Sequence, residues 1–351
     1  MTDITRLAID TSKSVFTLHG VDVAGRAILR RNLRRRELLS FFERLPPVEV
    51  ALEACGGSHH WGRALLALGH RVRLIPPQYV KPFVKRSKND RNDAEAISVA
   101  AAQPSIGSVP VKSAEQQAAA MLLSVRELLV RQRTQLVNAV RGHAAEIGVV
   151  APLGEKGLSE LQAEIAAADD AAVPAAAKQA IALLGREAER IEVRLRAIDA
   201  TLMQQHKANP VSRRLAAIPG IGPIGALSLA LRVDAAQFAS ARHFAAWLGL
   251  VPRECSTAGK QRLGGISRAG DERLRQLLVL GATAVIQHAN PRVKPAGQGP
   301  TGRPATSQWL LNLLSRKPRK LAAVALANKM ARIVWAMMTS GDAYRPRPAT
   351  A

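Results

Sequence analysis

The feature that most restricts the fold of this 351-residue chain is an apolar series at Ile181, Leu184, Ala188, Ile191, Leu195, Ile198 and Leu202. The steps alternate between three and four, which keeps these residues on one stripe of an α-helix. A strand, whose faces alternate every second residue, cannot do this. A helix over that span is about 33 Å long at 1.5 Å per residue, so this part of the chain is a rod. Its stripe has two candidate partners, an antiparallel helix of the same chain or a second copy in a coiled coil. Asn209-Pro210 ends the rod. A second long helix is predicted upstream. Ser113 and Gln116 have capping-box spacing, and Leu122, Val125, Leu129, Leu136 and Val140 share a face.

Before Ser113 the period changes. Leu7-Ala8-Ile9 leads to Asp10, Val15 to Leu18 forms a second β-rich run, and Asp22 to Gly25 is a turn before Ala27-Ile28-Leu29. Together they predict a three-strand meander. Arg34 to Arg44 has a helical arrangement, and Val48 to Leu52 is a strand ending at Glu53. His60 to Leu68 is a helix, and Val72 to Ile75 is a strand before Pro76-Pro77. The alternation specifies a mixed sheet with helical cover. Beyond Asn209, short helices are broken by Gly and Pro. Gln298 to Ser307 reads as a mobile loop, and Arg316, Lys317, Arg319 and Lys320 precede a final apolar helix.

Fifty Lys and Arg face 27 Asp and Glu, a net charge of +23. That excess favours a polyanionic partner. With aromatic residues at 3%, phosphate contact is the expected binding mode rather than base stacking. Cys55 and Cys255 supply neither a disulfide framework nor a zinc spacing, which fits a reducing cytoplasm. No signal peptide is expected at the N-terminus. The uncharged stretches Leu215–Leu231 and Gln276–Pro291 are interrupted or short, so nucleic acid is expected ahead of membrane.

Four carboxylates stand out. Asp10 and Glu53 close predicted strands, while Asp90 and Asp93 sit where a basic loop enters the helix Ala94 to Ala102, spaced to share one helix face. Two readings are open. Converging acids in a basic chain can hold divalent cations whose shells are completed by nucleic-acid phosphates, and two such ions would polarise a scissile phosphate. Alternatively, Asp10 and Glu53 are turn residues, and Asp90 and Asp93 are helix-start acids favoured by the macrodipole. His59-His60 suits a helix start better than a Mg²⁺ site. Arg26, Arg30, Arg31, Arg34, Arg35 and Arg36 read as a solvated face or as a backbone-binding patch. Lys81, Lys85, Arg86, Lys88 and Arg91 border two of the acids and are better nucleic-acid candidates.

The strings Ile9-Asp10-Thr11-Ser12-Lys13, Leu52-Glu53-Ala54-Cys55-Gly56 and Lys88-Asn89-Asp90-Arg91-Asn92-Asp93-Ala94 resemble the three acidic motifs of the DEDD insertion-sequence transposases. That group includes the pilin-gene inverting and bridge-RNA-guided recombinases. Pro76-Pro77-Gln78-Tyr79-Val80-Lys81 resembles the segment between the second and third motifs. The resemblance implies a RuvC-like, RNase-H-like domain over residues 1–108 whose Asp10, Glu53, Asp90 and Asp93 bind Mg²⁺, as two ions. It further implies a helical coiled-coil region over 109–208 and a C-terminal transposase domain over 209–351, so the fold class is α/β plus all-α.

Ile218-Pro219-Gly220-Ile221-Gly222-Pro223-Ile224-Gly225-Ala226 is a Gly-rich turn entering a helix. It reads either as a plain interhelical turn or as a helix-hairpin-helix-like element that would hold DNA backbone through Gly220 and Gly222. Leu250-Val251-Pro252-Arg253 and Arg262-Leu263-Gly264-Gly265-Ile266-Ser267 resemble the C-terminal segment of the same family, whose loop contributes a nucleophilic serine. Here the loop reads Ser256-Thr257-Ala258-Gly259-Lys260. Alignment from one side favours Thr257 and from the other Ser256, and the primary hydroxyl of Ser256 is preferred. Lys260 and Arg262 flank it as phosphate-binding candidates.

The resemblance implies a cytoplasmic, nucleoid-associated DNA recombinase of an insertion sequence. Mg²⁺-dependent cleavage would proceed through a covalent serine–DNA link, and a noncoding bridge RNA is an expected partner. A homo-oligomer, dimer or tetramer, is expected to assemble through the helical region. The alternative is a RuvC-like Holliday-junction resolvase or nuclease that uses water as nucleophile.

Overall fold

The computed structural model describes residues 4–85, 89–257, 259–289 and 307–345. The chain divides into two compact units, residues 1–118 and 119–351.

The first unit holds β1 (Arg6–Asp10), β2 (Val15–Val21), β3 (Ala27–Arg34), α1 (Leu38–Phe42), β4 (Glu49–Glu53), α2 (Ser58–Ala67), β5 (Arg71–Ile75), α3 (Pro77–Val80) and α4 (Asp90–Ala102). The strands form one sheet in the order β3-β2-β1-β4-β5. β1, β2 and β3 pair antiparallel as the expected meander, whereas β1, β4 and β5 run parallel. Parallel neighbours need crossovers, and α1 and α2 lie in those connections.

Alternation along the strands sorts their side chains into two cores. Leu7, Ile9, Val50 and Leu52 face one side with Phe16, Leu38, Phe42, Trp61 and Leu65. Ala8 and Ala51 face the other, against Ala96, Ile97, Ala100 and Ala101 of α4. Small residues on both surfaces let α4 lie close to the sheet. Each fully buried large side chain contributes roughly 1.5–3 kcal/mol, so the first face carries most of the apolar stabilisation.

The helical arrangement at Arg34 to Arg44 is realised only in part. Arg34 ends β3, residues Arg35–Glu37 form a 3₁₀ turn, and α1 is five residues long. Hydrogen bonding to β2 holds Arg30 to Arg34 extended in an edge strand whose side chains are mostly exposed. The arginines are also partly occupied: Arg35 lies over the Phe16 and Trp61 rings and Arg31 over Phe41.

α5 (Ala114–Glu146) begins in the first unit and continues into the second. Its start is the predicted capping box, with Gln116 N–H donating to Ser113 Oγ and Ser113 N–H to Gln116 Oε1. α6 (Glu155–Ala167) and α7 (Ala175–Ala208) follow. Arg126 pairs with Asp199 and Arg133 with Glu192, while Val140 and Ala144 share a core with Ile181. Partner numbers fall as α5 rises, so α5 and α7 are antiparallel. Ile181, Ala188, Ile191, Leu195 and Leu202 are buried. The heptad stripe is therefore largely covered within the chain.

The rest of the second unit is α8 (Pro210–Leu215), α9 (Pro223–Arg232), α10 (Ala241–Trp247), a two-stranded ribbon of β6 (Pro252–Glu254) and β7 (Leu263–Ile266), α11 (Glu272–Gln287), α12 (Gln308–Leu314) and α13 (Arg319–Ser340). Leu215, Ile218, Ile221, Phe244, Leu248, Leu274, Leu278, Met330 and Val334 belong to its core. Among the described residues α13 alone is long and apolar enough to cross a membrane, and its Ala322, Ala327, Met330 and Val334 are buried in that core. Most of the predicted loop Gln298–Ser307 lies outside the described residues.

Candidate functional site

The parallel pairing of β1 with β4 places Ile9 beside Leu52, so the next residues, Asp10 and Glu53, end adjacent strands at the same level. Alternation puts both on the α4 face, in line with Ala8 and Ala51. α4 starts at Asp90, with the Asn89 side chain accepting the Asn92 N–H at 2.9 Å as N-cap. Asp90 and Asp93 thus occupy the first turn. One carboxylate oxygen from each of Asp10, Asp90 and Asp93 lies within 4.8 Å of the others. Glu53 is outside that triad but belongs to the same electrostatic cluster. Burial first, then the charges of Asp93, Asp90 and Glu53, push the Asp10 carboxyl up from 3.8 to about 6. Burial and Asp93 also raise Glu53, while nearby Lys81 opposes the rise.

The two readings of Asp90 and Asp93 are not exclusive. Their first-turn position satisfies the helix dipole and also brings them to Asp10. Gathering carboxylates where desolvation and mutual repulsion oppose ionisation is unfavourable for the bare protein, and a cation relieves both. The donor set is all oxygen, which fits a hard divalent cation such as Mg²⁺. His59 is not part of it: it is buried, with Nδ1 accepting the Lys112 N–H at 3.2 Å.

Basic residues border the cluster. Lys81 and Arg91 are exposed. Lys85 donates to Glu95 Oε1 at 2.7 Å, and Arg30 lies 3.8 Å from Oε2 of the same carboxylate. Glu95, which the sequence did not flag, ties the basic segment to α4 and to the edge strand. Arg86 and Lys88 lie outside the described residues.

In the second unit, Gly220 has φ of +88°, and a Cβ there would stand 2.7 Å from the Gly281 carbonyl oxygen. A Cβ on Gly281 would in turn stand 1.9 Å from the Gly220 oxygen, so these glycines are explained by backbone contact between the turn and α11. Gly222 is exposed and is the N-cap residue of α9, with Pro223 in the first turn.

Ser256 lies in the exposed connection of the β6–β7 ribbon. Its hydroxyl donates to Glu254 Oε1 at 2.8 Å and accepts the Arg262 N–H at 3.2 Å. Thr257 is engaged through its backbone, which exchanges hydrogen bonds with Lys260. Lys260 and Arg262 are exposed. The root of the ribbon is closely packed. Cβ atoms on Gly249 and Gly270 would meet Ala269 N at 2.3 Å and Trp247 O at 1.8 Å, and both residues have positive φ. Buried Arg275 donates to the carbonyls of Leu248 and Ala269, one on each side of the ribbon. Glu254 and Arg275 were not singled out from sequence. For Glu254 a signal existed, since residues two apart in extended chain share a face.

A family profile described as "Transposase", of DEDD type, matches residues 7–148, and one described as "Transposase IS116/IS110/IS902 family" matches residues 212–298. The chain is 52% identical over 344 residues to "Putative transposase y4pF/y4sB" of Sinorhizobium fredii, covering 97% of this chain and 86% of the relative. It is 45% identical over 346 residues to "Probable family 20 transposase" of Pseudomonas aeruginosa, covering 98% and 99%. With "Transposase for insertion sequence element IS1111A" of Coxiella burnetii the identity is 38% over 346 residues, covering 98% and 92%. Extended across nearly the whole chain, these similarities show that the protein belongs to the IS110 family of DEDD transposases.

Proposed function

We propose that the protein cleaves and rejoins DNA of its insertion sequence, with Asp10, Glu53, Asp90 and Asp93 as a divalent-metal site and Ser256 as nucleophile. The observation that carries the reading is the convergence of the Asp10, Asp90 and Asp93 carboxylates beside the strand-end Glu53. When bound, Mg²⁺, as two ions, would neutralise the scissile phosphate and make its phosphorus more electrophilic. The protein's own groups do the rest. The four carboxylates fix the site on two rigid strand ends and one helix start, and Lys81 and Arg91, with Lys85, Arg86 and Lys88, draw the DNA backbone toward it. In the second unit, the Gly222 turn, Lys260 and Arg262 contact phosphates, and Ser256 attacks to leave a covalent serine–DNA link. The hydrogen bonds that orient its hydroxyl favour Ser256 over Thr257.

The sheet order β3-β2-β1-β4-β5, with three antiparallel strands followed by two parallel ones, supports a RuvC-like, RNase-H-like assignment for residues 1–108. The antiparallel α5–α7 pair represents the central helical region, and residues 209–351 the transposase domain with a helix-hairpin-helix-like turn between α8 and α9. The basic, aromatic-poor composition suits a structured guide RNA bound through shape and phosphate. Assembly as a homo-oligomer would use helical surface other than the covered heptad stripe. The setting is the bacterial cytoplasm, at the nucleoid.

The test is excision and insertion by the full chain from a plasmid carrying the element and its flanks. Asp10→Asn is expected to abolish strand cleavage, and Ser256→Ala to abolish both recombination and detergent-stable protein–DNA adducts. Normal recombination by Ser256→Ala would overturn the nucleophile assignment. Cleavage without adducts would favour the resolvase-like use of water.

A further inference from the structure

We infer that Glu254 is the general base of the serine step, accepting the Ser256 proton during attack and returning it when the link is resolved. The inference rests on the reading of Ser256 as nucleophile. A serine hydroxyl has one proton and two lone pairs. Here the proton is directed to Glu254 Oε1 at 2.8 Å, and one lone pair accepts the Arg262 N–H at 3.2 Å. One lone pair is left to meet phosphorus. A hydroxyl is a weak nucleophile until a neighbouring base takes its proton, and this carboxylate is within the reach that such a transfer needs.

The ribbon fixes the pair. Glu254 is the last residue of β6 and opposes Leu263 of β7, while Cys255 N–H donates to the Arg262 carbonyl at 2.9 Å. The glycine crossings and Arg275 hold the root from which both strands leave. Glu254, Ser256 and Arg262 are all exposed, so a DNA strand can reach the hydroxyl without opening a core.

In the forward step the Oγ–P bond forms and the bond from phosphorus to the leaving deoxyribose oxygen breaks. The serine proton passes to Glu254, and the leaving oxygen takes a proton from solvent. In the second step the incoming strand hydroxyl releases its proton to solvent and bonds to phosphorus, the P–Oγ bond breaks, and Glu254 returns its proton to Oγ. No external reactant is consumed.

The experiment measures adduct formation by the full chain on a duplex carrying the element's joined ends, with Mg²⁺ and RNA transcribed from the element's flanks. Wild type is compared with Glu254→Gln, Glu254→Asp and Ser256→Ala. Glu254→Gln is expected to slow adduct formation about 10²-fold near neutral pH, within the usual range for a lost general base. Glu254→Asp should recover part of the rate. A Glu254→Gln rate equal to wild type while Ser256→Ala is null overturns the inference, and so does a Glu254→Asp rate no higher than that of Glu254→Gln. Should Glu254→Gln fail to fold, Glu254→Asp is read instead: adduct formation slower than wild type but faster than Ser256→Ala is expected, and a rate equal to wild type overturns the inference. Adducts persisting in Ser256→Ala would instead refute the underlying nucleophile reading.

Discussion

Removing the Asp10 charge should stabilise the metal-free protein. The Asp10 carboxyl is raised from 3.8 to about 6 by burial and by three neighbouring acids. A shift of about two units corresponds to ~3 kcal/mol, and partial exposure reduces this to about 1–2 kcal/mol. Because the folded-state value lies above the unfolded one, the folded protein binds the proton more tightly. The contribution is fully favourable below about pH 4 and is lost as pH rises through about 6. At neutral pH the fold carries that loss, and asparagine does not. Asp10→Asn in EDTA at about pH 7.5 should therefore melt a few degrees higher than wild type, by the usual conversion of about 1 kcal/mol to several degrees for a domain of this size. The difference should vanish near pH 4. Amide exchange in β1 and β4 locates the effect, and Mg²⁺ should reverse the order by stabilising wild type alone. Equal or lower stability of metal-free Asp10→Asn at neutral pH would refute the argument from burial and like charge.

Two further outcomes follow from the same geometry. Asn89→Ala removes the α4 N-cap and should lower stability by about 1 kcal/mol, with weaker Mn²⁺ binding measured by titration because Asp90 and Asp93 ride on that turn. Arg275→Met leaves the Leu248 and Ala269 carbonyls without their donor and should reduce stability by about 1–3 kcal/mol in urea denaturation. Since Arg275 sits at the ribbon root, adduct formation should fall while Mn²⁺ binding is retained.

Where the strands are buried, sequence and structure agree. β1, β2, β4 and β5 were legible because apolar residues cluster on strands bounded by turns, and the α5 start was legible because Ser113 and Gln116 satisfy each other's backbone. The heptad stripe predicted the rod, but its partner depended on where α5 lay, which periodicity does not encode. β3 was misjudged beyond Leu29 because its arginines face solvent and carry no alternation; only pairing with β2 shows them to be strand. The β6–β7 ribbon escaped for the same reason, being exposed on both sides. Asp10 and Glu53 could be placed at strand ends from sequence, but their shared face required the parallel register of β1 and β4. Glu254 became visible only when the ribbon brought its carboxylate onto the Ser256 hydroxyl.

The central claim is that the four acids form one metal centre, and anomalous diffraction from crystals of the full chain grown with Mn²⁺ tests it most directly. The account predicts manganese peaks bounded by Asp10, Asp90 and Asp93 oxygens with Glu53 at their edge, lost in Asp10→Asn. Manganese bound elsewhere, or undiminished at this place in Asp10→Asn, would contradict it.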